Sequence, residues 1–164
     1  MTRPKPRRPR LPEQEVYGSE GAVPPEQALP WETAERWLEE AQYYWLATTR
    51  RDGRPYSAPL WAVWYDGGLY FTTTAETSTG KNLAAGSLAV AHTESGAEVV
   101  MLEGEATRLA PEDVPAIVVD AYEEKYDWRM DPADPDMPYY VLRPRVARTW
   151  LAADVRSTAT VWRF

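Results

Sequence analysis

The chain has 164 residues, enough for one domain with a single core, and its 44% hydrophobic and 26% charged residues are an ordinary globular balance. It has no cysteine, which excludes a disulfide framework, a thiolate metal site and a cysteine nucleophile. Net charge is −7, yet Arg3, Lys5, Arg7, Arg8 and Arg10 stand in the first ten residues, so the remainder carries 13 basic against 25 acidic residues, a net of −12.

An acidic body repels nucleic acid, so no nucleic-acid partner is expected. No apolar run is long enough to span a membrane, and the basic N-terminus has no apolar stretch behind it to make a secretory signal. A cytoplasmic protein with no membrane partner is expected. Residues 1–29 are rich in Pro and Glu and read as a disordered Pro/Arg-rich tail, with the folded domain at 30–164.

At Leu29-Pro30-Trp31 the pattern changes. Thr33 suits a helix cap, and Ala34, Trp37, Leu38 and Ala41 recur at helical spacing, which predicts a helix over 32–41. Residues 43–49 read as a strand that turns at Asp52-Gly53. A second strand covers 56–65, Asp66-Gly67-Gly68 turns it, and 69–74 returns. Residues 75–85 are polar and then helical. Strands follow at 88–93 and 98–109, with Gly104 at a bulge. Residues 111–126 predict a second clear helix, with Pro111 in its first turn and Val114, Ile117, Val118, Ala121 and Tyr122 on its apolar face. An Asp/Pro-rich loop leads to a strand over 139–151, interrupted at Pro144, and residues 157–164 end the chain as a short strand or ordered tail. The order is mainly β (α+β). It predicts a six- to seven-stranded antiparallel split β-barrel with peripheral helices, because closing a meander into a barrel removes exposed edges.

Eight Trp and ten Tyr against two Phe suit partly wet interfaces and ligand pockets, and equally suit bulky barrel fillers. Trp61 shows the choice: alternation places Leu60, Ala62 and Trp64 on one face and Trp61 and Val63 on the other. His92 is the only histidine, and no partner ligands surround it in sequence, so a hydrogen-bonded structural role is its default and no metal site is expected. Gly67-Gly68 lies between two strands and is a turn, not a dinucleotide loop. No Ser/His/Asp set or paired-carboxylate motif is present, so no residue is assigned as catalytic.

Read in series, Tyr44-Trp45-Leu46-Ala47-Thr48-Thr49, Asp52-Gly53-Arg54-Pro55, Pro59-Leu60-Trp61-Ala62-Val63-Trp64, Leu69-Tyr70-Phe71-Thr72, Lys81-Asn82-Leu83-Ala84, Glu94-Ser95-Gly96, Leu102-Glu103-Gly104, Arg143-Pro144-Arg145-Val146 and the ending Thr158 to Phe164 resemble the pyridoxamine 5′-phosphate oxidase-like split barrels. The likeness is to their actinobacterial flavin- and deazaflavin-dependent branch. It implies a homodimer with cofactor sites between the subunits, and F-420 deazaflavin or FMN as cofactor, with haem a minor alternative that would use His92. The implied cofactor-binding residues are Pro59, Leu60, Trp61 and Ala62 along the ring system, Thr72, Thr73 and Thr74 at the following strand end, and Thr79, Lys81 and Asn82 in the segment that matches the family's phosphate-binding segment. Thr79 stands where the family usually has its principal lysine, which leaves Lys81 as the basic residue there. Tyr126-Asp127-Trp128-Arg129 follows the second helix, in a region that approaches the site and varies with substrate in the family, and a surface loop with an aromatic anchor is the simpler reading.

The resemblance implies an oxidoreductase that transfers hydride to or from a small conjugated organic substrate, the cofactor supplying the chemistry and the protein the binding. The ending lacks the histidine of the Arg/His pair that true pyridoxamine phosphate oxidases carry. Two alternatives stand beside it: a non-catalytic split barrel that carries a flavin, haem or other flat ligand, and an accessory subunit with a degenerate phosphate site.

Overall fold

The computed structural model describes residues 5–7 and 29–164. Its elements are β1 (Lys5–Arg7), α1 (Trp31–Glu40), β2 (Tyr44–Thr49), β3 (Pro55–Leu60), β4 (Ala62–Tyr65), β5 (Gly68–Thr72), α2 (Ser78–Ala85), β6 (Leu88–Thr93), β7 (Glu98–Arg108), α3 (Ala116–Tyr126), β8 (Tyr139–Leu151), α4 (Val155–Thr158) and β9 (Thr160–Arg163). All strand pairs are antiparallel.

The single strand expected over 56–65 is two strands that change partner at Trp61. β3 pairs with β2, and β4 pairs with β5. The circuit then runs from β5 to β8, β7, β6 and back to β2. Covalent continuity across Trp61 therefore joins the two ends of the sheet, and this makes the architecture an α+β split barrel. β9 extends the sheet from the C-terminal half of β8. Counting 55–65 once, the domain has seven strands, as expected from the turn spacing.

Each local signal has a physical outcome. Asp66 and Gly67 both take positive φ (44° and 69°), the geometry that a two-residue hairpin turn between right-twisted strands needs. The β7–β8 register shifts between Glu103 and Gly104, with Gly104 opposite Pro144 and Glu103 opposite Val146. Both residues expected at an irregularity thus meet at one bulge, where Pro144 is not required to donate.

Two apolar layers hold the barrel. Inside lie Tyr44, Leu46, Ala62, Trp64, Leu69, Phe71, Val100, Leu102, Leu142 and Trp162, and α1 adds Trp31, Trp37 and Leu38 to this layer. Outside, α3 covers Val63, Tyr70, Tyr139 and Val141 with Val118, Val119 and Tyr122. The alternation read in 60–64 is observed: Leu60, Ala62 and Trp64 join the inner layer, and Val63 joins the outer. Trp162 is a core residue. Its indole Nε1 donates to Thr149 Oγ1 at 3.0 Å and its ring packs 5.3 Å from Trp31. Burying a side chain of this kind stabilises the fold by roughly 1.5–3 kcal/mol.

The structure departs from the sequence reading at further places. Pro30, not Thr33, precedes α1, because the helix starts early enough to bury Trp31; the Thr33 N–H bonds the Pro30 carbonyl at 3.0 Å. The helix expected over 111–126 is a 3-10 turn (Pro111–Asp113) followed by α3, since Pro115 pushes Val114 into extended backbone (ψ 116°). Ile117 is 52% exposed and does not belong to the buried face. A helical turn, α4, precedes β9, with Asp154 accepting from the Ser157 N–H. Of the expected tail, Lys5–Arg7 pairs with Val161–Arg163, and residues 8–28 lie outside the described residues. No helix among the described residues is long and apolar enough to cross a membrane.

Candidate functional site

The strand switch at Trp61 brings that residue next to the end of β5. Ala62 faces Phe71 across the β4–β5 ladder, so Thr72 lies one step further on, beside Trp61. Thr73 and Thr74 carry the chain from there to α2. Trp61 is 41% exposed, while its neighbours Ala62, Val63 and Trp64 are buried.

The turn into α2 is tightly built. Thr77 caps the helix: its hydroxyl accepts from the Gly80 N–H at 2.9 Å, donates to the Thr74 carbonyl at 2.9 Å and lies 2.8 Å from the Thr73 hydroxyl. Gly80 passes so close to Thr74 that a Cβ would stand 2.0 Å from the Thr74 carbonyl oxygen, so no other residue fits there without moving the backbone. Ser78 and Thr79 open the helix, ahead of its own hydrogen-bond ladder, and their N–H groups point out of the N-terminal end. Such an end favours an anion.

The predicted residues divide by what their side chains do. Lys81 is exposed, with its ammonium 3.6 Å from the Glu76 carboxylate. Thr72 and Thr74 are half-buried at the strand end. Thr73 and Thr79 are buried, and the buried Asn82 donates to the Thr48 hydroxyl at 2.9 Å, which fastens α2 to β2. Leu60 packs against the inner core. Pro59 is exposed on the outer face of the sheet in a cross-strand row with Trp45 and His92. His92 Nδ1 lies 2.8 Å from the Thr93 carbonyl oxygen.

A second group of residues holds the strand switch from the side of α3; the sequence reading names Tyr126 in a region near the site and Tyr122 only as part of an apolar face, and passes over Lys125. Tyr122 donates its hydroxyl to the Trp61 carbonyl at 2.9 Å. The Tyr126 hydroxyl accepts from the Ala62 N–H at 2.9 Å and points its proton toward the Gln42 and Ala62 carbonyls, each at 2.9 Å. Lys125 donates to the Ala62 carbonyl and to the Tyr44 hydroxyl, each at 3.1 Å. Tyr44 in turn donates to the Leu38 carbonyl. The Tyr126 ring stacks on the Trp61 indole, centroids 4.7 Å apart and planes within 1°. Tyr122, Lys125 and Tyr126 occupy one face of α3 through their three- and four-residue spacing. That spacing was the available signal, hidden because Tyr122 reads as apolar and Tyr126 falls at the helix end.

Burial shifts the protonation of this group. Lys125 is lowered to about 8, chiefly by desolvation, with Glu94 acting in the opposite direction. Tyr122 is raised to about 12 by burial, against hydrogen bonding to Thr72. Tyr44 and Tyr126 are raised further, again mainly by burial.

Residues 30–151 match the family described as pyridoxamine 5′-phosphate oxidase. No curated protein matches the chain. Among solved structures, the chain is similar to an F-420 reductase, with 26% identity over 69% of this chain and 94% of that one, at a TM-score of 0.56. A NimC/NimA family protein from Clostridium acetobutylicum matches with 14% identity over 84% and 96% of the two chains, at a TM-score of 0.63. A haem-binding protein from Mycobacterium smegmatis matches with 20% identity over 74% and 55%, at a TM-score of 0.61. The last two show a shared fold. With the family match covering most of the chain and the ring of strands closed at Trp61, this protein belongs to the pyridoxamine 5′-phosphate oxidase-like split-barrel family.

Proposed function

We propose that this chain is an oxidoreductase that uses F-420 deazaflavin or FMN to transfer hydride to or from a small conjugated organic substrate, working in the cytoplasm as a homodimer. The observation that carries this reading is a juxtaposition. The exposed flat indole of Trp61 stands at the β3–β4 switch, Thr72 lies next to it in the β4–β5 register, and Thr73 and Thr74 lead from there to Thr77, the cap of α2, which carries Lys81.

These residues fit a ligand with a flat ring and a phosphorylated tail. Trp61 offers a face for stacking. The α2 N-terminus offers main-chain donors for phosphate, and Lys81 adds one positive charge. Thr72 and Thr74 offer hydroxyls between the two. A bound flavin or deazaflavin supplies the hydride chemistry. The chain's own part is to bind, to orient the ring and to exclude water from one of its faces.

One observation favours the second reading, a non-catalytic barrel that carries a flat ligand. Lys81 is the basic residue of the phosphate segment, and Glu76 stands 3.6 Å from it. A phosphate there meets a single, partly offset cation. The two readings separate in one experiment. The purified protein is titrated with FMN, with F-420 and with haemin while its absorption spectrum is recorded, and any bound reduced cofactor is then mixed with quinone or enone acceptors. Micromolar binding of FMN or F-420 with reoxidation by acceptor supports the oxidoreductase. Binding without reoxidation favours the carrier. A well-folded dimer that binds none of them sinks both.

A further inference from the structure

The strand switch demands a physical account of its own. Where β3 leaves β2 and β4 joins β5, main-chain groups lose their ladder partners, and a buried unpaired group costs about 1–3 kcal/mol. Three such groups, the Trp61 carbonyl and the Ala62 N–H and carbonyl, are taken up by three side chains of α3. Water would satisfy these groups at an open kink. Here Ala62 is fully buried, so side chains must do it.

Satisfying those groups does not require the Tyr126 ring to lie flat on an indole. The ring does so within 1°, on a tryptophan left 41% exposed while Ala62, Val63 and Trp64, which follow it, are buried. Trp61 lies on the same side of the strand as Val63, which α3 covers completely. A tryptophan recruited only to fill the barrel would point inward with Trp64. Exposing so much indole forgoes burial worth roughly 25 cal/mol per Å² of apolar surface. The arrangement therefore holds Trp61 in a fixed orientation without burying it.

We propose that Tyr126 is a positioning residue for ligand binding: its hydroxyl anchors the β3–β4 switch at Ala62 while its ring fixes the exposed Trp61 indole as a rigid platform for a flat ring ligand. The role rests on the ring site proposed above. A platform whose rotamer is already set loses less side-chain entropy when the ligand arrives, and this is how preorganisation raises affinity. Lys125 and Tyr122 support the same switch from the next positions on α3. They touch the main chain of residues 61 and 62, and no ring contact between them and the indole is observed, so the orienting role falls to Tyr126.

The test is a double-mutant cycle with lumiflavin, which has the ring but no phosphate tail, and FMN as probes. Trp61→Leu and Tyr126→Leu are each expected to weaken lumiflavin binding by roughly threefold to tenfold, the range of an aromatic pair. In the Trp61→Leu background, Tyr126→Leu is expected to add no further loss, because its effect passes through the indole. Tyr126→Phe keeps the stack and is expected to keep most of the affinity. In the free protein, the near-ultraviolet circular dichroism of the stacked pair should vanish in either leucine variant and persist in Tyr126→Phe. Additive losses in the cycle, or a Tyr126→Leu variant that binds like the wild type while Trp61→Leu does not, would overturn the positioning role and leave the ring site standing. Failure of the wild type to bind either probe would overturn the ring site and the positioning role together.

Discussion

Asn82 on α2 donates its side-chain N–H to the Thr48 hydroxyl on β2 at 2.9 Å, with both residues buried. This bond joins α2, the proposed phosphate segment, to the barrel wall across 34 residues of sequence. Replacing Asn82 by Ala or Leu leaves the buried Thr48 hydroxyl without this donor, a loss of about 1–3 kcal/mol. The expected result is a lower urea midpoint with an unchanged slope, and weaker binding of FMN than of lumiflavin, because the helix end that receives the tail is loosened. A variant with unaltered stability would mean that Thr48 finds another partner.

Lys81 behaves in the opposite way. It is exposed, and its contact with Glu76 at 3.6 Å is a surface pair of little energetic weight. Lys81→Ala should leave stability within about 0.5 kcal/mol of the wild type. Its FMN affinity should fall by about tenfold or more, the loss of one charge-assisted hydrogen bond. Glu76→Gln should raise that affinity. Isothermal titration of the three proteins decides it, and equal affinities would remove Lys81 from the site.

The α3 cluster predicts an alkaline stability maximum. Lys125 titrates near 8 in the folded protein and near 10.5 when unfolded, so between these values the unfolded chain binds more protons. Stability therefore rises with pH across that window. Tyr122 is raised from 10 to about 12, so above pH 10 the unfolded chain loses its proton first and stability falls. Thermal melts from pH 7 to 11 should peak near pH 10. Lys125→Met should flatten the rising limb and spare the falling one.

Tyr139 is 1% exposed, and its hydroxyl has no hydrogen-bond partner among the described residues. Its ring packs edge-on against Tyr122 under α3. Tyr139→Phe keeps that packing and removes an unsatisfied buried hydroxyl. It should raise stability by about 1 kcal/mol in chemical denaturation. A loss of stability would point to a partner supplied by a bound molecule or a second subunit.

Much of this protein is written locally. The Asp66-Gly67 turn, the β6 strand, the long β8 strand and the bulge shared by Gly104 and Pro144 follow from residue type and from alternation, because their causes lie within a few residues. So does the assignment of Leu60, Ala62 and Trp64 to one face and Trp61 to the other. The ordered motifs were enough to place the chain in its family. What the tertiary structure decided is the meaning of those faces. A strand that changes partner at Trp61 looks continuous in one dimension, since both halves alternate in the same way. Three side chains of α3 reach that switch only because the helix packs across the outside of β4, more than sixty residues away in sequence. Thr79, Lys81 and Asn82 are all cofactor-binding candidates by resemblance, yet the pitch of α2 buries Thr79 and Asn82 and exposes Lys81. Long-range packing separates residues that fasten α2 to the barrel from one left exposed to solvent.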